Sequence, residues 1–170
     1  MTPQMTPDRS WCLFAVSGLL LAAMTAGCSQ STSHGGNRVA STPTAQQQHA
    51  KATSVVEDTM RQSGVSWDTT PNDWAESCTL SDGSPGALFN VARTGAGVDD
   101  PQAVVREVGA AWKERGLSLT YGSDVMTSGT ERYTVLGKGD GVTSILLGVA
   151  MSKSSLTGVS ECGSGDADKL

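Results

Sequence analysis

The sequence predicts a two-layer α+β sandwich: an antiparallel sheet of four to five strands with two helices packed on one face, closed by one disulfide. Three observations predict it. Two segments repeat apolar residues at helical spacing. The C-terminal third alternates apolar and polar residues between glycine-containing turns. Two cysteines, Cys78 and Cys162, remain as a pair once the N-terminal segment is set aside.

The first element is not part of that sandwich. Trp11 to Ala26 is one mostly apolar run around Leu19-Leu20-Leu21. It is shorter than the roughly 20 residues that span a hydrocarbon core, and its length suits the apolar region of an export signal. The run ends in Thr25-Ala26-Gly27 and then Cys28, with Arg9 and Asp8 ahead of it and Met1 or Met5 as the start. The ending resembles the lipobox of bacterial lipoproteins, in which a peptidase cuts before a cysteine whose thiol carries palmitate-class acyl chains. That resemblance implies a signal peptide over 1–27 and lipidation of Cys28. The alternative is an ordinary signal cut near Ala26, which leaves Cys28 a free thiol in an oxidising compartment.

Residues 28–45 read as a flexible polar tether. Ser, Thr, Gln, Gly and Pro dominate it, and such a composition cannot bury enough apolar area to fold. Both histidines, His34 and His49, lie in or beside this stretch, with no second ligand at metal-binding spacing. They are expected to be solvated linker residues.

The domain is expected over 46–165. Ala52, Val55, Val56, Thr59 and Met60 predict a helix that starts near Gln46 and stops at Gly64. A segment with Trp67, Pro71 and Trp74 follows, then Cys78, a turn at Asp82-Gly83 and a strand from Ala87 to Ala92. The second helix is capped by Asp99 or Asp100, with Pro101 in its first turn. Val104, Val105, Val108, Ala111 and Trp112 form its apolar stripe, Arg106, Lys113 and Glu114 face away, and Gly116 ends it. Gly109 inside it costs about 1 kcal/mol relative to Ala and calls for a close neighbour.

Strands are then predicted over Leu117–Tyr121, Arg132–Leu136, Val142–Met151 and Leu156–Cys162. Gly137 to Gly141 reads as a hairpin turn. Ile145, Leu147, Val149 and Met151 share one face, in a row begun by Thr143. Residues 166–170 are expected to be a disordered tail.

Of the four cysteines, Cys12 leaves with the signal and Cys28 takes the lipid. A Cys78–Cys162 disulfide closes a loop of 84 residues. Loop entropy makes such a bridge worth about 4–5 kcal/mol.

The composition excludes several functions. The net charge is −5, and it stays −5 without residues 1–27, which hold one acid and one base. An acidic chain offers no basic face for nucleic acid and no polybasic attraction to anionic lipid. Membrane attachment would rest on the anchor at Cys28. No histidine follows His49, so no Ser-His-Asp or Cys-His site is expected, and neither metal nor cofactor is. No catalytic residue stands out. Carboxylate pairs such as Asp73 with Glu76, or Glu131 with Asp140, are the formal exception, because a glycosidase needs only two acids. Trp67 and Trp74 are the candidates for an exposed binding surface, against a plain packing role.

With this layout the chain resembles the small lipoproteins of mycobacteria and related actinobacteria, and among them the LppA-like group. The resemblance rests on Thr25-Ala26-Gly27-Cys28, on Trp74 and Cys78 before the first strand, and on Val104-Val105 and Trp112 before Gly116-Leu117. It closes on Leu156-Thr157-Gly158 and Cys162, although in the LppA-like pattern the cysteine follows Thr-Gly directly and here Val159-Ser160-Glu161 intervene. It implies an envelope lipoprotein on the outer face of the cell membrane and carries over no catalytic residues. The function expected is a non-enzymatic module that binds an envelope protein or another envelope component. The alternatives are a carrier or sensor of a small apolar ligand such as a lipid, housed beside Gly148 and Ala150, and a cell-wall hydrolase using paired carboxylates.

Overall fold

Helix α1, Ala45–Gln62, begins where Thr44 closes a capping box. The Thr44 hydroxyl accepts the Gln47 N–H at 3.2 Å, and the Gln47 side-chain carbonyl accepts the Thr44 N–H at 2.9 Å. The helix stops at Ser63, followed by Gly64 at φ +65°. Helix α2, Pro101–Glu114, starts on Asp100, whose carboxylate accepts the Ala103 N–H at 3.0 Å.

The computed structural model describes residues 42–170. The signal segment over 1–27, Cys28 and most of the expected tether lie outside the described residues. Among those described, no helix is long and apolar enough to cross a membrane.

Seven strands accompany the two helices: β1 Asn72–Thr79, β2 Pro85–Ala96, β3 Ser118–Val125, β4 Glu131–Gly139, β5 Val142–Ala150, β6 Lys153–Ser160 and β7 Gly163–Ser164. All pair antiparallel in the order β1-β2-β6-β5-β4-β3, with β7 on β2 beyond the end of β6. The α+β class holds, but the sheet has more strands than the expected four to five. The two extra ones are β1 and β7. Asn-Asp-Trp-Ala-Glu-Ser-Cys-Thr has almost no β-branched residue, and its strand form comes from an unbroken ladder to β2. β7 is too short to leave a pattern.

Both helices lie on one face. Ala52, Val55 and Val56 of α1 and Val105, Val108 and Trp112 of α2 share a single core with Val91, Val135, Ile145, Leu147, Val149 and Leu156. Full burial of each large apolar side chain there stabilises by about 1.5–3 kcal/mol. Alternation along β5 puts Ile145, Leu147 and Val149 in that core. Met151 falls just past the strand and is 68% exposed, so it leaves the row it was expected to end, and Thr143 sits exposed at a bulge.

The domain also begins and ends differently than expected. Ser164 N–H donates to the Pro43 carbonyl at 2.9 Å, and Thr44 bridges to Ser164. The last tether residues therefore belong to the fold. Gly163 is required here, because a Cβ would strike the backbone of Thr44 and Ala45. Beyond it Ala167–Lys169 forms a 3-10 turn beside β1 and β2, where a frayed tail was expected. Ala167 packs against the Ala45–Ala87–Phe89 cluster, which holds the turn in place.

The Cys78–Cys162 disulfide is formed, with Cα atoms 6.1 Å apart. It joins the edge strand β1 to the junction of β6 and β7. At that junction the Ser160 hydroxyl accepts the Phe89 N–H at 2.8 Å, and the Thr143 hydroxyl donates to the Ser160 carbonyl at 2.9 Å. Two side chains thus replace the ladder bonds lost where the strand breaks. The Asp140-Gly141 hairpin has both residues at positive φ, the type I′ geometry.

Candidate functional site

Strand β3 is an edge of the sheet, and α2 reaches over it only in part. Between them runs an open groove of about 630 Å³. Alternation sends Tyr121, Ser123 and Val125 of β3 to the helix side, and the Ser123–Tyr133 register brings Tyr133 of β4 alongside. The two tyrosines of the chain thus line the same groove, with Val105 as its apolar wall. Tyr121 is 52% exposed in this groove, whereas Val125, 71% exposed, lines a separate hollow with Asp124, Met126 and Arg132.

Gly109 explains the position of Tyr121. The phenol end lies against the α2 backbone there, and a Cβ at Gly109 would collide with the hydroxyl. The close neighbour that this helical glycine called for is therefore the groove's own aromatic wall. At the other side, Tyr133 donates to Glu131 at 2.9 Å. The hydrogen bond to that carboxylate, then burial, then the charges of Glu131 and Asp100 push the Tyr133 phenol above its usual range, so it stays neutral.

Arg106 is the one ionised side chain lining the groove, and it makes no salt bridge among the described residues. On a chain of net charge −5 this is a local cationic spot. At the Tyr133 end the groove adjoins a second hollow lined by Asp100 and Glu131. One end is basic and the other acidic.

The residues singled out from the sequence fall elsewhere. Trp67 is half-buried on the helix side, donates from Nε1 to the Ser63 hydroxyl at 3.0 Å and packs on Gly95. It staples the end of α1 to β2. Trp74 is 42% exposed on the helix-free side, with Nε1 bonded to Glu76 at 2.8 Å. The two tryptophans stand on opposite faces of the sheet and cannot form one surface. Gly148 faces the stem of Arg132 and the Ser155 hydroxyl, and Ala150 is fully buried, so neither opens a cleft.

The carboxylate pairs are not brought together either. Asp73 and Glu76 are three residues apart on one strand, and alternation puts them on opposite faces. Glu131 and Asp140 sit at opposite ends of β4, separated by about 30 Å of extended chain.

His49 is a correction. It lies inside α1, stacks on Phe89 with ring centres 4.1 Å apart, and has Nε2 3.0 Å from an Asp73 carboxylate oxygen. The helix expected from Gln46 already held this position; what takes it out of solvent is Phe89 of β2 and Asp73 of β1, which only the folded chain brings beside it. Asp73 also bonds the guanidinium of Arg93, which is 8% exposed. An imidazole is thus present in the fold, but no serine, threonine or cysteine bonds to it among the described residues. Arg93 ties the cluster down, which makes it a brace between α1, β1 and β2. Among the described residues no three acid, His or Cys side chains gather at metal-binding distance.

No protein-family model matches the chain, and no curated protein matches it. Among solved structures, it is similar to the crystal structure of a DUF4853 family protein from Actinomyces odontolyticus ATCC 17982. That likeness has a TM-score of 0.47 at 9% identity and covers 72% of this chain and 67% of that one.

Proposed function

We propose that this chain is an exported lipoprotein, held on the outer face of the cell membrane by acyl chains on Cys28, and that its domain is a non-enzymatic binding module using the groove between α2 and β3. The single observation that carries the binding reading is the groove itself. It presents two tyrosines and an arginine with no salt bridge among the described residues, beside an uncapped sheet edge. A contiguous exposed apolar and aromatic surface rimmed by polar groups is the kind that marks an interaction site. The small residues before Cys28 and the single disulfide of the domain support an oxidising, extracytoplasmic setting. The finer kinship, with LppA-like actinobacterial lipoproteins, rests on the sequence motifs alone.

A carrier of a lipid would need an enclosed apolar cavity, and this groove is open to solvent along β3. A hydrolase would need the paired acids that the register separates. The open groove supports binding to an envelope protein or another envelope component. The test uses the full chain expressed in an actinobacterial host. Intact-mass analysis of the envelope fraction is expected to show the chain starting at Cys28 with a diacylglyceryl adduct, and Cys28→Ser to remain uncut and unacylated. A chain starting near Gly27 with a free thiol overturns the anchor. Native mass spectrometry of the solubilised chain then reports what the groove carries, and loss of that adduct in Tyr121→Ala assigns it there.

A further inference from the structure

We propose that the groove takes an extended peptide segment, which adds as a strand to the free edge of β3 and sets an acidic group against Arg106. This rests on the binding reading above and names the class of partner.

The hydrogen-bond parity of β3 carries the argument. At the hairpin end, Met126 N–H donates to the Thr130 carbonyl at 2.9 Å, which fixes Met126 and Thr130 as a hydrogen-bonded pair. In an antiparallel ladder such pairs alternate with non-bonded ones. Counting back along the unshifted register, Asp124, Gly122, Thr120 and Ser118 spend their N–H and C=O groups on β4. Leu119, Tyr121, Ser123 and Val125 point theirs outward. Nothing described pairs with β3 on that side.

Proteins ordinarily blunt such an edge with lysine, proline, a bulge or a covering element. Ser-Leu-Thr-Tyr-Gly-Ser-Asp-Val has none of these: its one charge, Asp124, is paired with Arg132 on the helix-free face, and the register from Ser118 to Val125 is unbroken. The same odd-numbered residues that offer backbone groups outward also turn side chains toward α2. An added strand would therefore bond Tyr121, Ser123 and Val125 while its own inward side chains lie over Tyr121, Tyr133 and Val105. This is the strand-addition mode, in which backbone bonds give affinity and alternate side chains give specificity. Arg106, the groove's lone charge and without a salt bridge among the described residues, selects an acid among those side chains.

The test probes the full chain in detergent micelles with a displayed random nonapeptide library. Enriched peptides are expected to carry an Asp or Glu at a fixed position and to slow amide exchange at Leu119, Tyr121, Ser123 and Val125. Arg106→Glu, an exposed helix substitution, should weaken a selected peptide at least tenfold and turn selection toward Lys or Arg. Ser123→Pro deletes an outward donor and leaves the β3–β4 bonds intact; it should also weaken binding at least tenfold. Peptides that need Arg106 but bind Ser123→Pro normally would sink strand addition and leave the groove reading standing. If no peptide is enriched while Tyr121→Ala abolishes a non-peptide adduct of the native chain, the partner class is wrong and the groove reading survives. If neither occurs, both fall. A dimer of the full chain that Ser123→Pro dissociates would assign the edge to a second copy and overturn the peptide partner.

Discussion

The indole Nε1 of Trp112 donates to the hydroxyl of Thr59 at 3.0 Å, deep in the core where both side chains are fully buried. Thr59 in turn donates to the Val55 carbonyl at 2.8 Å. This is the polar contact between α1 and α2 above the centre of the sheet, and it satisfies an indole N–H that has no access to water. Thr59→Val keeps the shape and orphans the indole, so it should cost about 1–3 kcal/mol. Thr59→Ser keeps the hydroxyl and loses only a methyl group, about 1 kcal/mol. Urea denaturation separates them. A Thr59→Val variant as stable as the native chain would mean the bond contributes nothing to stability.

The disulfide ties the edge strand β1 to the junction of β6 and β7 across 84 residues. Its loss should cost about 2–5 kcal/mol, much of a small domain's stability. A strong reductant, or the double substitution Cys78→Ser with Cys162→Ser, should lower the denaturation midpoint by a matching amount. Each alone should behave like the pair, because one remaining thiol restores no cross-link. An unchanged midpoint under reduction would show that the β1–β2 ladder holds the edge without the bridge.

What could be read from the sequence was what local chemistry decides. Trp112 was legible because it falls on the stripe of Val105 and Val108, and Asp100 and Gly116 because caps and stops act within a few residues. Gly109 announced a close neighbour without naming it. Tyr121 could not be foreseen there, because its approach depends on where α2 crosses the sheet. β1 was not legible for a related reason: Asp73 and Glu76 are poor strand formers held by pairing to β2. His49 looked like a linker residue because its partner, Asp73, is 24 residues away. The groove was invisible for the same physical cause, since it exists only once register sets Ser123 opposite Tyr133 and leaves the outer edge of β3 without a partner strand.

The brace of His49, Asp73 and Arg93 predicts a pH dependence. Burial alone raises the Asp73 pKa, but the hydrogen bonds from Arg93 and His49, with their charge, outweigh it and hold the carboxyl below its usual value. A carboxyl lowered on folding stabilises fully above its unfolded pKa, about 3.9. That contribution is lost as pH falls from there through the lower folded value. Stability should therefore decline below about pH 4. Asp73→Asn should flatten this part of the profile and, by leaving the nearly buried Arg93 without its carboxylate, cost about 1.5–3 kcal/mol at pH 7. A variant with the same acid limb as the native chain would place the titration elsewhere.

Gly109→Ala separates the groove from the fold. Replacing a mid-helix glycine by alanine favours α2 by about 1 kcal/mol. The added methyl meets the hydroxyl and the ring carbons Cζ and Cε1 of Tyr121, a half-exposed ring that can swing outward. The expected outcome is a melting temperature equal to or above that of the native chain, together with a displaced Tyr121 and weaker capture of whatever the groove holds. Tyr121→Phe is the control: it keeps the ring, drops the hydroxyl and should tolerate the alanine better, so the double variant should regain binding. Fluorescence of the two tyrosines is masked by tryptophan, so side-chain NMR of Tyr121 is the suitable measurement. A ring that keeps its native shift in Gly109→Ala would mean that α2 moved instead, and that Tyr121 is not seated by the missing Cβ.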